Sequence, residues 1–142
     1  MTLPSIVIDT NVFISALRSQ RGASYLLMSH LDSGKFIPNV SVPLILEYED
    51  VAKRQLSHLT LTEQDVDDIL DYICQIAVHH RIFYLWRPVL RDPKDDLVLE
   101  LAVAAKCDVI VTFNVRDFVG SEQFGVHVIP PKVFLQQIGV LP

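Results

Sequence analysis

The stretch Ser5-Ile6-Val7-Ile8-Asp9-Thr10-Asn11-Val12-Phe13-Ile14-Ser15-Ala16-Leu17 decides the fold. Ile6, Val7 and Ile8 form an unbroken, branched apolar run that stops at a carboxylate. A short run of this kind reads as a strand over 5–9, buried on both faces. Asn11 then begins a helix over 11–17. A buried strand that ends in an acid, with a helix directly behind it, is how an open parallel sheet presents chemistry at its carboxyl edge.

The rest of the chain repeats that alternation. Residues 22–33 read as a helix with Ala23, Leu26, Leu27, His30 and Leu31 on one stripe, stopped by Gly34. Lys35-Phe36-Ile37 reads as a short strand. Pro43 opens a helix that runs to Arg54, and Thr62 caps the next, with Val66, Ile69, Leu70, Ile73 and Ala77 facing the core. Residues 81–86 are apolar and read as irregular chain or a short strand. A helix over 94–106, strands over 108–112 and 126–129, and a last helix over 132–137 complete the order. Strands alternating with helices argue for an α/β protein, a parallel sheet covered on both faces. The chain of 142 residues is 50% hydrophobic, enough for one domain, 1–142, with a real core. No repeat, low-complexity segment or linker divides it.

Composition narrows the function. No apolar run approaches the length of a membrane span, and no signal peptide is evident, so a cytoplasmic protein is expected. Cys74 and Cys107 lack CxxC spacing and read as reduced, buried thiols. The net charge of −5 argues against a nucleic-acid partner, but Glu63, Asp65, Asp67, Asp68 and Asp71 of one expected helix account for all of it. Arg18, Arg21, Lys53, Arg54, Arg87, Arg91, Lys94 and Arg116 are spread among the remaining segments. They read individually as solvated surface and together as a basic rim.

Four acids stand at expected strand ends or on expected helices: Asp9, Glu47, Asp96 and Asp117. Each has an ordinary structural reading. Asp9 suits a helix N-cap. Glu47, among Leu44, Ile45, Leu46 and Tyr48, suits a solvated helix face. Either Asp95 or Asp96 suits the positive end of a helix dipole, and Asp117 suits a turn. Their order along the chain argues for convergence at one sheet edge. Two carboxylates about 4 Å apart repel by roughly 4 kcal/mol at an effective dielectric near 20. Hard divalent ions such as Mg²⁺ or Mn²⁺ relieve that repulsion. Asn11, Thr112 and Asn114 are placed to hold ligand carboxylates or waters.

The residues also carry a resemblance. IVIDTNVFISAL (6–17) resembles the opening of PIN-domain nucleases. LILEYEDV (44–51) resembles that family's helix with a central Glu. DDLVLELAVAAKCDVIVTFNVRDF (95–118) resembles its later signature: an acid, a small-residue helix, a strand ending in Thr, then Asn and Asp before Phe. The similarity runs in order through nearly the whole chain. It is closest to the VapC-like branch, and the DPKDD run (92–96) to a subgroup of toxin components of toxin–antitoxin pairs.

The resemblance implies a three-layer α/β/α sandwich and Mg²⁺ or Mn²⁺, one or two ions, held by Asp9, Glu47, Asp96 and Asp117. It implies Thr112 and Asn114 as supports, and cleavage of single-stranded RNA. It further implies a small antitoxin partner and a homodimer or higher homo-oligomer. Asp96 rather than Asp95 fits the family's spacing to Thr112, with Asp95 as the alternative. Many relatives carry Asp where this chain has Asn114, which lowers the charge of the site.

Other chemistries find less support. No HExxH, Cys/His cluster of zinc spacing, GxSxG, Walker loop or dinucleotide fingerprint occurs, and His79-His80 reads as an exposed or helix-end pair. An aspartyl-phosphate phosphotransferase wants a second acid two residues after Asp9, where Asn11 stands. A non-catalytic PIN-like module binding RNA or protein, and a housekeeping RNA-processing nuclease, remain as alternatives. Tyr25, Trp86 and Phe118 are aromatic enough to stack on bases but read first as packing.

Overall fold

The computed structural model describes residues 3–82 and 90–142. In chain order the elements are β1 (Ser5–Ile8), α1 (Thr10–Arg18), α2 (Ala23–Ser29), β2 (Ile37–Val40), α3 (Val42–Arg54), α4 (Glu63–Ile76), β3 (Val78–His79), α5 (Pro93–Ala104), β4 (Val109–Val111), β5 (His127–Ile129) and α6 (Pro131–Gln137). The sheet is parallel throughout, in the order β3-β2-β1-β4-β5. Helices cover both faces, giving the expected α/β/α sandwich. α1 packs on α2 and α3, α2 on α6, and α3 on α4, while α5 packs against β1 and β4.

The two apolar runs form the centre. Ile6 and Val7 of β1 and Ile110 and Val111 of β4 are fully buried, as a strand paired on both sides and covered on both faces requires. Their register sets Ile6 opposite Val109 and Ile8 opposite Val111. The next residue of each strand, Asp9 and Thr112, therefore emerges at the same carboxyl edge. The Asp9 amide continues the ladder by donating to the Val111 carbonyl at 2.9 Å.

Local chemistry accounts for the helix starts. Ser41 accepts from the Leu44 amide to cap α3, with Pro43 in its first turn. Thr62 and Asp65 form a reciprocal capping box on α4. The acids of α4 are not all free of partners: Lys53 of α3 pairs with Asp67 at 2.8 Å and with Glu63 at 3.6 Å, joining the two helices.

Three expectations are corrected. α2 ends at Ser29 rather than 33. The Ser29 hydroxyl and the His30 ring both bond the Leu26 carbonyl, replacing the helical bond that carbonyl would accept from His30 N–H. The strand expected at 35–37 lies at Ile37–Val40, where Pro38 hides it because proline brings no N–H to a ladder. Asn39, buried beside it, donates from Nδ2 to Ser5 Oγ at 2.7 Å and to the Ile6 carbonyl at 3.1 Å. Finally, Val78–His79 forms an unexpected strand, β3; His79 is exposed, as read from the sequence, while His80, just after the strand, is half-buried and bonds Asn39 Oδ1 through Nε2 at 2.7 Å. Of the segment expected as irregular or strand at 81–86, Arg81 and Ile82 have no regular structure and 83–86 lie outside the described residues. Cys107 is buried as expected, whereas Cys74 is half-buried.

Asn39 thus ties β2 to β1 and to the chain after β3. Asn39→Ala should lower the unfolding free energy by on the order of 2 kcal/mol by orphaning these buried partners. Urea denaturation measures it; a loss no larger than for the exposed Gln75→Ala would refute the role.

Candidate metal centre

The site grows from the β1–β4 edge. Asp9 is buried at 7% exposure and caps α1. Its Oδ1 accepts from the Thr10 amide at 2.8 Å, and its Oδ2 accepts from Thr112 Oγ1 at 2.7 Å. The Thr112 hydroxyl is a hub. It accepts from Asn11 Nδ2 at 3.2 Å and from the Asn114 amide at 3.0 Å while donating to Asp9. Asn11 Oδ1 in turn accepts from the Phe113 amide at 3.3 Å. The three residues expected as supports, Asn11, Thr112 and Asn114, thus form one network that fixes a single carboxylate.

Glu47 reaches the same place from α3. Thr10 Oγ1 donates to its Oε2 at 2.7 Å. Lys94 Nζ lies 4.0 Å from Oε1, on a side chain 63% exposed, so this ion pair is weak. The following residue, Tyr48, turns inward, stacks on Phe13 at 4.6 Å and donates its hydroxyl to the Ile8 carbonyl. α3 is thereby anchored to the end of β1.

α5 departs from the expectation. Asp96 is buried and accepts from the Leu90 amide at 3.0 Å, tying the entry of the helix to the preceding chain. Asp95 lines the cleft with Asp9 and Glu47 instead. Burial pushes its carboxyl up to about 7, and the negative charges of Asp9, Asp92, Asp117 and Glu47 push in the same direction. The geometry therefore brings Asp95, not Asp96, to the cluster. Asp92 is the N-cap of α5. Asp117 stands in the 3₁₀ turn Val115–Phe118, exposed, its amide bonded to the Asn114 carbonyl.

The acids border two adjoining clefts. One, of about 320 Å³, contains Asp9, Asn11, Glu47, Asp95 and Asn114; the other, of about 650 Å³, contains Asp95 and Asp117 with Arg91 and Arg116. Asp95 belongs to both. Burial also raises the Asp9 carboxyl, opposed by the bonds from Thr112 and Thr10 and reinforced by Glu47 and Asp117.

An assembly of oxygen donors, in which Asp9 and Asp95 are raised by burial and by neighbouring negative charge, fits a hard divalent cation. As placed, no three His, Cys, Asp or Glu side chains among the described residues already grip one point in space. Asp9 and Glu47 are held by threonines. Of the aromatic candidates, Phe118 is buried in the core, Tyr25 is 40% exposed on the far side of α1, and Trp86 lies outside the described residues. The sequence did not single out Thr10 or Gln55, which line the first cleft, and read Arg18, which lines it too, only as one of a basic rim. Thr10 directly follows Asp9, and steps of four from Thr10 and from Glu47 reach Arg18 and Gln55.

A parallel sheet in this order, with acids gathered at its carboxyl edge, defines an α/β protein of the PIN type. The model of the PIN domain family matches residues 5–116, and the chain belongs to that family. No curated protein matches it by sequence. Among solved structures it resembles a chain of VapBC2 from Rickettsia felis bound to a DNA fragment from their promoter. The TM-score is 0.61 and the identity 14%, over 87% of this chain and 98% of that one, a likeness of fold.

The Asp95 carboxyl ordinarily ionises near 3.8 and here near 7. In chelator, folding therefore takes up a proton between those values. Stability falls as pH rises from about 4 to about 7, and the penalty is complete above that. Asp95→Asn should raise the melting temperature, more at pH 8 than at pH 5. Asp96→Ala should lower it at both, through a loss of roughly 1–3 kcal/mol of stability, since the Leu90 amide loses a buried partner. Thermal melts in EDTA distinguish the two; the reverse pattern would restore Asp96 to the cluster.

Proposed function

We propose that the chain is a divalent-metal-dependent endoribonuclease that hydrolyses single-stranded RNA, and that it serves as the toxin of a toxin–antitoxin pair. The carrying observation is the gathering of Asp9, Glu47, Asp95 and Asp117 around two adjoining clefts, where burial first, and then the neighbouring negative charges, push Asp95 up to about 7. Membership of the PIN domain family and the oxygen-only donor set support the same reading.

Asp9, Glu47, Asp95 and Asp117 would hold Mg²⁺ or Mn²⁺, directly or through water. When bound, such an ion offsets the carboxylate repulsion, polarises the phosphodiester and lowers the pKa of an attacking water. Thr112 and Thr10 fix the Asp9 and Glu47 carboxylates before substrate arrives, so little reorganisation is left to the reaction. In the hydrolysis, water oxygen bonds to phosphorus, the ester P–O bond breaks, and the leaving oxygen takes a proton. The proton that the attacking water gives up balances the one that the leaving oxygen takes.

Purified protein should cleave single-stranded RNA with Mn²⁺ or Mg²⁺ and stop with EDTA. Asp9→Asn, Asp95→Asn and Asp117→Asn should each lose at least roughly a hundredfold in rate, the scale of a proton-transfer or electrostatic contribution. Asp96→Asn, which keeps an acceptor for the Leu90 amide, should stay active. Cleavage that survives thorough chelation would end the metal mechanism.

The toxin role is tested in cells. One solved structure similar in fold is a VapBC complex, and the proposed partner is a small protein that sets an Arg or Lys among the carboxylates, competing with the metal. Induced expression should arrest growth, and co-expression of an adjacent small gene should relieve it. Harmless expression of a protein that cleaves RNA in vitro would leave a housekeeping nuclease.

A further inference from the structure

The acidic cleft continues away from the carboxylates between two helices, and its walls are periodic. α1 contributes Thr10, Ile14 and Arg18; α3 contributes Glu47, Val51 and Gln55. Both sets follow an i, i+4, i+8 spacing, so each is one stripe on one face of its helix. The stripes are joined at both ends. Thr10 Oγ1 bonds Glu47 Oε2 at the carboxylate end, and the Arg18 guanidinium bonds Gln55 Oε1 at the other. Between them lie Ile14, buried, and Val51, half-buried. The groove thus starts at the acids, crosses an apolar floor and ends at a cation.

Arg18 is exposed, and it pairs with no acid among the described residues. Its bond to a neutral Gln55 orients the guanidinium without spending its charge, leaving donors for an anion. Eight residues of helix separate Thr10 from Arg18, about 12 Å at 1.5 Å per residue. On an extended single strand that is on the order of two to three nucleotides.

We infer that Arg18, oriented by Gln55, is a phosphate anchor for the substrate strand, gripping the second or third phosphate from the scissile one while Ile14 and Val51 support the intervening sugar or base. The inference rests on the nuclease reading. It makes Arg18 a positioning residue and gives the substrate a minimum length on one side of the cut. It also gives a protein of net charge −5 a local means of holding a polyanion.

The test uses the full chain and a short unstructured RNA whose cut site under wild-type cleavage is first mapped. Arg18→Met, which keeps the stem and removes the charge, should raise KM roughly five- to tenfold with kcat within about twofold. The slope of log binding against log salt should shrink by about 0.7, one phosphate contact on a single strand. Arg18→Lys should restore part of the loss. Neutral methylphosphonates placed singly along the RNA should weaken wild-type cleavage at one position, the second or third phosphate on one side, and that penalty should vanish in Arg18→Met. An active wild type whose Arg18→Met variant keeps KM and salt slope overturns the anchor alone. So does a methylphosphonate profile identical in the two proteins. A wild type that cleaves no RNA overturns the nuclease reading and the anchor with it.

Discussion

The 2.7 Å hydrogen bond from Thr112 Oγ1 to Asp9 Oδ2 is the contact on which the site depends. It exists because β1 and β4 are paired in parallel with Ile8 opposite Val111, so the residues after each strand share an edge. A register slip of one residue would exchange the two faces of β1 and separate the pair. Burial of Ile6, Val7, Ile110 and Val111 on both faces makes that slip costly. Core packing and site assembly are therefore one constraint. The same hydroxyl accepts from Asn11 and from the Asn114 amide, so the start of α1 and the loop after β4 are held by a single oxygen.

Around this bond the protein gathers more negative charge than the fold itself needs. Asp9 carries a raised proton affinity although two hydrogen bonds act against it, and Asp95 is pushed to about 7. Sites that trade stability for chemistry have this character. The threonines do not neutralise the carboxylates. They fix where two of them, Asp9 and Glu47, point. Asp95 borders both clefts, as does Asp92, the N-cap of α5.

The packing of α1 on α3 has a second consequence. Two helices that meet along i, i+4 stripes expose matching rows of side chains, and here those rows change from acidic to apolar to basic along the groove. The acidic overall balance hides this because the five acids of α4 equal the whole net excess, and Lys53 takes part of that charge into a bridge with α3. Net charge describes the whole surface, whereas a strand of nucleic acid meets only the groove.

Much was legible in the sequence. The apolar runs ending at Asp9 and Thr112 define two buried strands, and their helices follow, so the parallel architecture, the carboxyl-edge site and the roles of Asn11, Thr112 and Asn114 as neighbours were readable from pattern alone. Elements with weak local signals were not: β2 was masked by Pro38, and β3 is two residues long, existing only because β2 offers it a ladder. The choice between Asp95 and Asp96 belonged to the tertiary structure. Successive helical residues point about 100° apart, and an amphipathic helix would reveal which of the pair faces outward. α5 is apolar on nearly every side, burying Val98, Leu99, Leu101 and Ala102 together, so its sequence carries no phase. Only its packing against β1 and β4 sets the rotation that buries Asp96 under the Leu90 amide and turns Asp95 toward the other acids.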